Sequence, residues 1–260
     1  MGNNQKIISF DLMAEMVFFK KPDINDGIYL TYNMLHKPAL LGILGAIAGL
    51  RGYQKNGEFP EYYTKLKHLK VGIQPLDSDK GNFTKEIVSY NNGTGFASNE
   101  AGGNLIVTEQ ILLKPSYRCF LLLDLDNDIE HCLYDNLSCH KAEFLPYMGK
   151  NDFSAWWVNF KEYDNAREFA FDRNYKITSV FAKTDAVSSF VARSMSMFSS
   201  EAKEISFLYF ERLPVCFDEK LCQYDYADFV YSNASFKKEM NMSEAGTFFD
   251  LQENGIVQLF

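Results

Sequence analysis

Three glycines inside one predicted helix constrain this chain more than any other feature. The segment Pro38–Leu50 reads PALLGILGAIAGL, with apolar residues at helical spacing and glycines at positions 42, 45 and 49. Proline suits the first position of a helix, where its missing N–H has no partner, so we expect the helix to begin at about Pro38. A glycine inside a helix costs about 0.5–1 kcal/mol relative to alanine, so close approach of another backbone is the expected reason. That backbone belongs either to a tightly packed sheet or to another molecule at the helix start.

Alternating and periodic patterns predict the elements around this helix. Ile7–Phe19 alternates and has one fully apolar face, which is typical of a strand. Further patterns predict strands at Leu69–Leu76, Tyr117–Leu125 and Ala155–Phe160, a helix at Asp128–Leu137, and between Gly52 and Lys67 a loop with at most one helical turn. The strand at Tyr117–Leu125 is strongly apolar, so we expect it to be central.

Two further strands, Phe83–Tyr90 and Leu105–Leu113, resemble the arms of a hairpin. The segment between them, Asn91–Asn104, is rich in Gly, Asn and Ser, and we expect it to be mobile until something binds it. The resulting order, β-α-β-β-α-β with a hairpin insertion, is that of a ferredoxin-like fold. We therefore predict an α+β protein with a ferredoxin-like domain over residues 1–162 and an insertion at about 77–113.

A smaller β-rich region is predicted over residues 163–260. It contains predicted strands at Lys176–Lys183, Ile205–Arg212 and Gln223–Tyr231, a short helix at Val187–Phe198, and a tail over Met240–Phe260.

Composition excludes several classes of protein. The five cysteines form no CxxC pair, so neither a zinc site nor a disulfide framework is indicated, and a reducing cytoplasm fits best. We expect no export signal, no membrane-spanning segment and no cofactor. Asp124, Asp126 and Asp128 could suggest a cation site, but their position before a helix favours capping and solvated charges.

The formal charge is −8, distributed as +3 over residues 1–70 and −11 over the remainder. The N-terminal part can therefore face phosphate although the whole chain is acidic.

Several segments together resemble one family, the Cas-five subunits of the RAMP superfamily in CRISPR effector complexes. The opening strand with FKKP, Thr31 and KPALLGILGAIAGL is similar to the family's first signature. Later blocks follow in the right order between about residues 7 and 233: TEQILLKPSYRCFLLL, FLPYMGKNDFSA, YFERLPVCFDE and YADFVYSN. The FLPYMGKND and ERLP forms are most similar to the subtype I-B version.

The resemblance implies a subunit of a type I (Cascade-type) surveillance complex in antiviral defence or RNA-guided DNA targeting. Such a subunit caps the 5′ handle of the crRNA, contacts the backbone and large subunits, and meets target DNA only indirectly. It also implies that the hairpin insertion acts as a thumb. Single-stranded RNA is held by cations at phosphates and by rings under bases. The candidate RNA-binding residues are Lys20, Lys21, Tyr32, His36, Lys37, Lys114, Arg118 and Lys150.

Each candidate also has a structural alternative. Lys20 and Lys21 can be solvated charges at a strand end, and a tyrosine such as Tyr32 is more often packed than stacked on a base. Arg118 lies in an apolar strand, which favours pairing with Glu109 or an aspartate over RNA contact. Lys114, beside Pro115, fits either role.

Two other functions stay open. A subtype I-C branch of the family cleaves the guide precursor without metal, and such cleavage needs an acid and a base near neutral pKa. That branch carries a Lys-His pair before the strand matching Thr108–Leu113, where this chain has NLIV, so we expect no enzymatic activity. The third possibility is a scaffold that bridges protein subunits without touching RNA, which the acidic balance favours.

Overall fold

The computed structural model describes residues 4–23, 27–92, 105–185, 187–188 and 207–260. Within these residues, the α-helices with defined bounds are α1 (Lys37–Ile47), α2 (Glu61–Leu66) and α3 (Asp128–Ser138). The strands are β1 (Gln5–Ala14), β2 (Met16–Val17), β3 (Ile28–Tyr29), β4 (Lys70–Leu76), β5 (Lys85–Asn92), β6 (Leu105–Leu113), β7 (Ser116–Asp124), β8 (Ala155–Glu162), β9 (Arg167–Glu168), β10 (Tyr175–Lys176), β11 (Phe181–Ala182), β12 (Leu208–Asp218), β13 (Gln223–Ser232), β14 (Ser235–Phe236), β15 (Thr247–Asp250) and β16 (Ile256–Leu259). The fold is mixed α+β and mostly strand. Within the described residues, no helix is both long and apolar enough to cross a bilayer.

The main sheet has the strand order β4-β7-β1-β8, and all three neighbouring pairs are antiparallel. Along the chain its strands and helices follow the predicted order, with the β5–β6 hairpin between β4 and β7. The predicted central strand is confirmed, because β7 lies between β4 and β1.

Alternation along β1 sends side chains to two different cores. Ile8, Phe10 and Leu12 belong to the large core that contains the apolar residues of α1 and α3. Ile7 points to the opposite face, where it packs in a smaller core with Phe120 and residues of β15 and β16. The sheet is therefore covered by helices on one face and partly by the C-terminal region on the other.

The predicted hairpin is confirmed, with β5 and β6 antiparallel from the Lys85–Leu112 pair to the Asn92–Leu105 pair. β6 also pairs with β2 and with β3, which ties the hairpin base to the chain before α1. The predicted mobile segment, Asn91–Asn104, lies outside the described residues from position 93 onward. Most of the short helix predicted at Val187–Phe198 also lies outside them.

The C-terminal region differs from the prediction at its end. We predicted a tail from Met240, but β15 and β16 form an antiparallel hairpin with buried apolar side chains. Phe260 then exchanges two backbone hydrogen bonds with Val71 of β4, at N···O distances of 3.1 and 3.0 Å. Each strand is only four residues long, so the periodicity was too short to identify it from sequence.

The glycines of α1 accommodate another helix, which corrects the predicted packing against a sheet. A Cβ on Gly45 would lie 2.3 Å from the Tyr62 Cβ of α2, and a Cβ on Gly42 would lie 3.7 Å from the Tyr62 ring. Gly49 has φ +76° just beyond the helix end, a conformation that favours glycine. The absent side chain at position 45 therefore lets α2 pack directly on α1, whereas position 42 has room for a Cβ at an ordinary contact distance.

Candidate nucleic-acid interface

A groove of about 650 Å³ lies beside the start of α1. Its walls come from the chain before α1, from α1, from the loop before β8 and from the middle of the β5–β6 hairpin, with further residues from α2, β12 and β13. Its lining residues include Phe18, Phe19, Lys20, His36, Ala39, Gly42, Tyr53, Tyr62, Tyr90, Glu109, Phe144, Leu145, Tyr147, Gly149, Lys150 and Tyr224. The groove is therefore rich in aromatic rings and contains two lysines.

Large apolar side chains of the loop before β8 are exposed to solvent at the groove. Phe144, Leu145 and Tyr147 are 53%, 70% and 43% exposed, although core-type side chains of this size are usually covered. Tyr53 lies on the groove wall and is exposed as well. Exposed rings around a groove are the kind of surface on which unpaired bases stack.

Gly149 determines how this loop is held. Its φ is +88°, and a Cβ at this position would lie 1.8 Å from the carbonyl oxygen of Phe18. The Phe18 N–H also donates to the carbonyl of Met148 at 3.3 Å. The loop is thus attached directly to the backbone that ends in the two lysines, Lys20 and Lys21.

Lys150 is held by two side chains of the hairpin. Its Nζ lies 2.7 Å from Glu109 Oε2 and 2.7 Å from the Tyr90 hydroxyl, and Tyr90 donates to Glu109 Oε1 at 3.0 Å. Burial lowers the pKa of Lys150, but the bonds to Glu109 and Tyr90 outweigh it and the net shift is upward. Lys150 is therefore a fixed cation in the groove whose charge is largely matched by Glu109.

Lys20 is exposed on another wall of the groove. Its Nζ lies 3.9 Å from the centroid of the Tyr29 ring, a cation–π contact. Its backbone bridges to Thr31, and Thr31 Oγ1 accepts from the N–H of Phe19 at 2.9 Å. Lys20 therefore projects from a fixed backbone but forms no ion pair among the described residues.

His36 lines the groove but is only 5% exposed. It is the N-cap of α1, and its Nδ1 accepts a hydrogen bond from the Ala39 N–H at 3.3 Å. The rings of Phe19, Tyr32 and Tyr224 surround it. Burial lowers the pKa of His36 to about 3, so the imidazole is neutral at physiological pH. Its role in the structure is to cap the helix rather than to supply a positive charge.

Lys21 and Tyr32 lie in a neighbouring cleft and not in the groove. The Lys21 Nζ is 3.9 Å from Glu211 and 5.2 Å from the Tyr32 ring centroid. Tyr32 is buried, and its hydroxyl donates to the Tyr226 hydroxyl at 3.4 Å. Burial, together with that hydrogen bond, raises the pKa of Tyr32. The Tyr32 ring therefore packs inside the protein instead of presenting a face for a base.

Lys37 and Lys114 also lie away from the groove lining. Lys37 donates to the carbonyl of Phe260 at 3.0 Å, and burial lowers its pKa to about 8. Lys114 is exposed, has φ +48°, and lies 3.7 Å from Glu15. Neither ammonium adds to the charge at the groove.

Arg118 forms a bidentate ion pair with Asp11 on the neighbouring strand. Its Nε and Nη2 lie 2.7 and 2.9 Å from the two carboxylate oxygens, and Asn159 donates to the same carboxylate at 2.8 Å. This pairing confirms the expectation that Arg118 binds an aspartate. The hydrogen bond from Arg118 and the nearby Asp11 charge raise the pKa of Arg118, partly opposed by burial.

The structure therefore places Lys20, His36 and Lys150 in the lining of the groove, whereas the other five predicted residues do not line it. The aromatic residues of the groove were not among the residues predicted from sequence, although Phe144 and Tyr147 lie in the FLPYMGKND segment. Three large side chains, Phe144, Leu145 and Tyr147, clustered around Pro146 just before Gly149 in a loop were an available signal of an exposed surface. Within the described residues, no group of three or more His, Cys, Asp or Glu is arranged to hold a metal.

Comparison with known proteins gives similarity at the level of structure alone. No protein-family model and no curated sequence matches the chain. A chain of the Type III-B Cmr-beta complex bound to cognate target RNA and AMPPnP is 11% identical, with TM-score 0.50, covering 90% of this chain and 86% of that chain.

Two other solved structures have lower TM-scores. A chain of a CRISPR RNA-guided surveillance complex is 12% identical, with TM-score 0.47, and the match covers 89% of this chain and 92% of that chain. A CRISPR protein from Archaeoglobus fulgidus is 11% identical, with TM-score 0.47 and 97% coverage of both chains. At these identities the comparison establishes the fold alone, so the chain has a mixed α+β fold similar to that of a chain in the Cmr-beta complex.

Proposed function

We propose that this chain is an RNA-binding subunit of a CRISPR-associated, RNA-guided effector complex. The observation that carries the proposal is the groove beside α1, where exposed aromatic side chains surround Lys20 and Lys150. The fold similarity to a chain of the Cmr-beta complex supports the same assignment at the level of architecture.

The chemistry of the groove suits a single strand better than a duplex. A base stacked on an aromatic side chain is worth about 1–3 kcal/mol, and this interaction needs bases that are not already paired. Phe144 and Tyr147 offer such surfaces, while Lys20 is free to approach a phosphate. The strand that fits is a short unpaired end of RNA, such as the 5′ handle of a guide.

The finer assignment is a handle-capping subunit of the Cas-five family in a type I, Cascade-type complex, most similar to subtype I-B. The sheet order β4-β7-β1-β8 supports a ferredoxin-like domain of the RAMP type, and the β5–β6 hairpin fits the position of a thumb. In this assignment the partners are the crRNA, the backbone subunits and the large subunit, in the cytoplasm and in antiviral defence.

We propose that the groove binds RNA without cleaving it. A general acid or base must exchange a proton near neutral pH, and burial holds the pKa of His36 at about 3. The other histidines do not line the groove: His68 contacts Glu130, His131 contacts Asp135, and His140 stacks on Trp157.

The test is to co-express the chain with its complex and a repeat array, and to sequence the 5′ ends of the RNA that co-purifies. The altered groove carries Lys20→Ala with Phe144→Ala and Tyr147→Ala, all of which remove exposed side chains. The matched control is Lys176→Ala with Lys238→Ala, because both lysines are exposed and neither lines the groove.

We expect uniform 5′ ends in the wild type and control, and ragged or missing ends in the groove variant. Complexes that assemble fully with unchanged ends in all three proteins would contradict RNA binding by the groove and leave a scaffold role. If the wild-type protein cleaved a purified guide precursor and the His36→Ala variant did not, the non-catalytic assignment would be overturned.

A further inference from the structure

A second cleft of about 610 Å³ lies next to the groove. It is formed by the chain before α1, the base of β5 and the outer part of β12. Its lining contains three cationic side chains and two carboxylates among the described residues: Lys21, Lys85, Arg212, Asp23 and Glu211. Of the three cations, Lys21 alone was predicted from sequence to bind RNA.

A short ladder of paired backbone, residues 19–21 with residues 30–32, separates the two depressions and presents one lysine to each. Backbone hydrogen bonds join Lys21 to Leu30 and Tyr32 to Phe19, so this stretch is extended. Successive side chains in extended backbone point to opposite sides. Accordingly Lys20 lines the groove, whereas Lys21 lines the second cleft.

Glu211 is already used by the protein. Its two carboxylate oxygens accept the N–H groups of Asn33 and Met34, both at 2.9 Å, and the Tyr209 hydroxyl at 2.7 Å. The Lys21 Nζ lies 3.9 Å away, at the outer limit of an ion pair. Glu211 therefore fixes the backbone before α1 and is a weak partner for the lysines.

Lys85 is half-buried, and no carboxylate in the described part of the chain accepts a hydrogen bond from its ammonium group. Its Nζ donates to the amide oxygen of Asn33 at 2.9 Å. Burial lowers the pKa of Lys85, the nearby Glu211 raises it, and the neighbouring charge of Lys21 lowers it further. Two ammonium groups that repel each other in a partly dry cleft would both be stabilised by an anion between them.

Arg212 adds a third cation at the exposed edge of the cleft. Its guanidinium lies 5.1 Å from the Tyr226 ring centroid, and it forms no ion pair among the described residues. Planar guanidinium groups bind phosphate through two parallel hydrogen bonds. Asp23, the remaining carboxylate, is exposed, so solvent weakens its effect on the cations.

We propose that this cleft binds backbone phosphates of the RNA strand whose bases occupy the groove, through Lys21, Lys85 and Arg212. The proposal rests on the proposed function and extends it, because the two depressions lie on the two sides of one backbone ladder, so a strand that crosses the ladder would meet aromatic contacts on one side and phosphate contacts on the other. It also assigns Lys85 and Arg212 as RNA-binding residues.

The experiment measures binding of the full chain to labelled oligouridine by fluorescence anisotropy over a series of salt concentrations. A short probe of about six nucleotides fills one depression, and a probe of about sixteen can span both. The cleft variant is Lys85→Gln with Arg212→Gln, the groove variant is Lys20→Ala with Phe144→Ala, and the control is Lys176→Gln with Lys238→Gln. Thermal unfolding checks that each variant is folded.

We expect the cleft variant to bind the long probe at least tenfold more weakly and the short probe as well as the control does. The slope of log K against log salt should fall by about 0.7 for each phosphate contact that is lost. If Lys85→Gln unfolds the chain, binding by the single variant Arg212→Gln decides, because Arg212 is exposed and its side chain has no hydrogen bond to any residue that the structure describes.

The possible failures are distinguishable. A groove variant that binds weakly beside a cleft variant that matches the control overturns the cleft and leaves the proposed function intact. If both variants bind the probes as well as the control does, both the cleft proposal and the proposed function are overturned. Equal displacement of the long probe by a polyglutamate peptide of matched charge would show that the cleft prefers an acidic protein partner, and would also overturn the proposal.

Discussion

Replacement of Gly149 by alanine tests how the loop before β8 is held against the neighbouring backbone. Its φ of +88° costs an L-residue about 1–2 kcal/mol. The new Cβ would also lie 1.8 Å from the Phe18 carbonyl oxygen, so the two backbones must separate. Separation breaks the hydrogen bond from Phe18 to Met148, worth about 1 kcal/mol. The expected loss of unfolding free energy is therefore about 2–3 kcal/mol.

The matched control is Gly57→Ala. Gly57 has a similar φ of +82°, but a Cβ there would meet nothing within 4 Å. The Gly57→Ala variant should lose only the part of the unfolding free energy that comes from the backbone conformation, about 1–2 kcal/mol. Urea unfolding of the two variants therefore separates the close approach from the backbone conformation. Because Lys150 follows Gly149, the same variant should also bind RNA more weakly, whereas Gly57→Ala should not.

Equal unfolding free energies for the Gly149→Ala and Gly57→Ala variants would refute this reasoning. Such a result would mean that the loop can move away from Phe18 without loss.

Three further predictions concern α1 and the sheet. His36 takes up a proton at its ordinary pKa when unfolded but only near pH 3 when folded, so lowering the pH from 6.5 should cost about 1 kcal/mol per unit. The variant His36→Asn, which can still cap, should lack this dependence. Gly45→Ala should destabilise the chain because its Cβ falls on the side chain of α2, whereas Gly42→Ala should stabilise it by about 0.5–1 kcal/mol. Arg118→Leu should cost about 2–4 kcal/mol by removing the cation that pairs with the buried Asp11 carboxylate, which would keep the hydrogen bond from Asn159, and the double variant with Asp11→Leu should recover most of it.

Each result has a clear opposite. Stability that changes identically with pH in the wild type and the His36→Asn variant would remove His36 as the titrating group. If the Gly45→Ala variant were as stable as the Gly42→Ala variant, the close contact between α1 and α2 would be contradicted. A double variant of Arg118 and Asp11 that is no more stable than the single one would show that the pair is not coupled. All three are measured by urea or thermal unfolding.

The sequence was sufficient for the elements with strong patterns. The start of α1, within one residue of the predicted Pro38, and the antiparallel hairpin of β5 and β6 follow from periodicity and turn residues. The central position of β7 follows from its strongly apolar sequence. These features depend on residues close together in the chain, so local rules predict them.

The candidate site was less predictable because its properties depend on distant partners. His36 looks like a cation beside Lys37, but it is enclosed by rings that include Phe19 and Tyr224. Lys150 looks free in its loop, yet it is bound to Glu109 of the hairpin. Burial and pairing of this kind arise only when separate elements meet, and no spacing rule within one segment reveals them.

The backbone pairing of Phe260 with Val71 affects when the main sheet can be completed during protein synthesis. A ribosome adds about 5–20 residues per second, so roughly 5–20 s separate the synthesis of β8 from that of β16. During this time the outer edge of β4 lacks its partner, and the apolar side chains of Ile7 and Phe120 lack the cover of β15 and β16. The nascent sheet is therefore exposed to wrong associations, and slower growth at low temperature or added chaperones should raise the yield of folded chain.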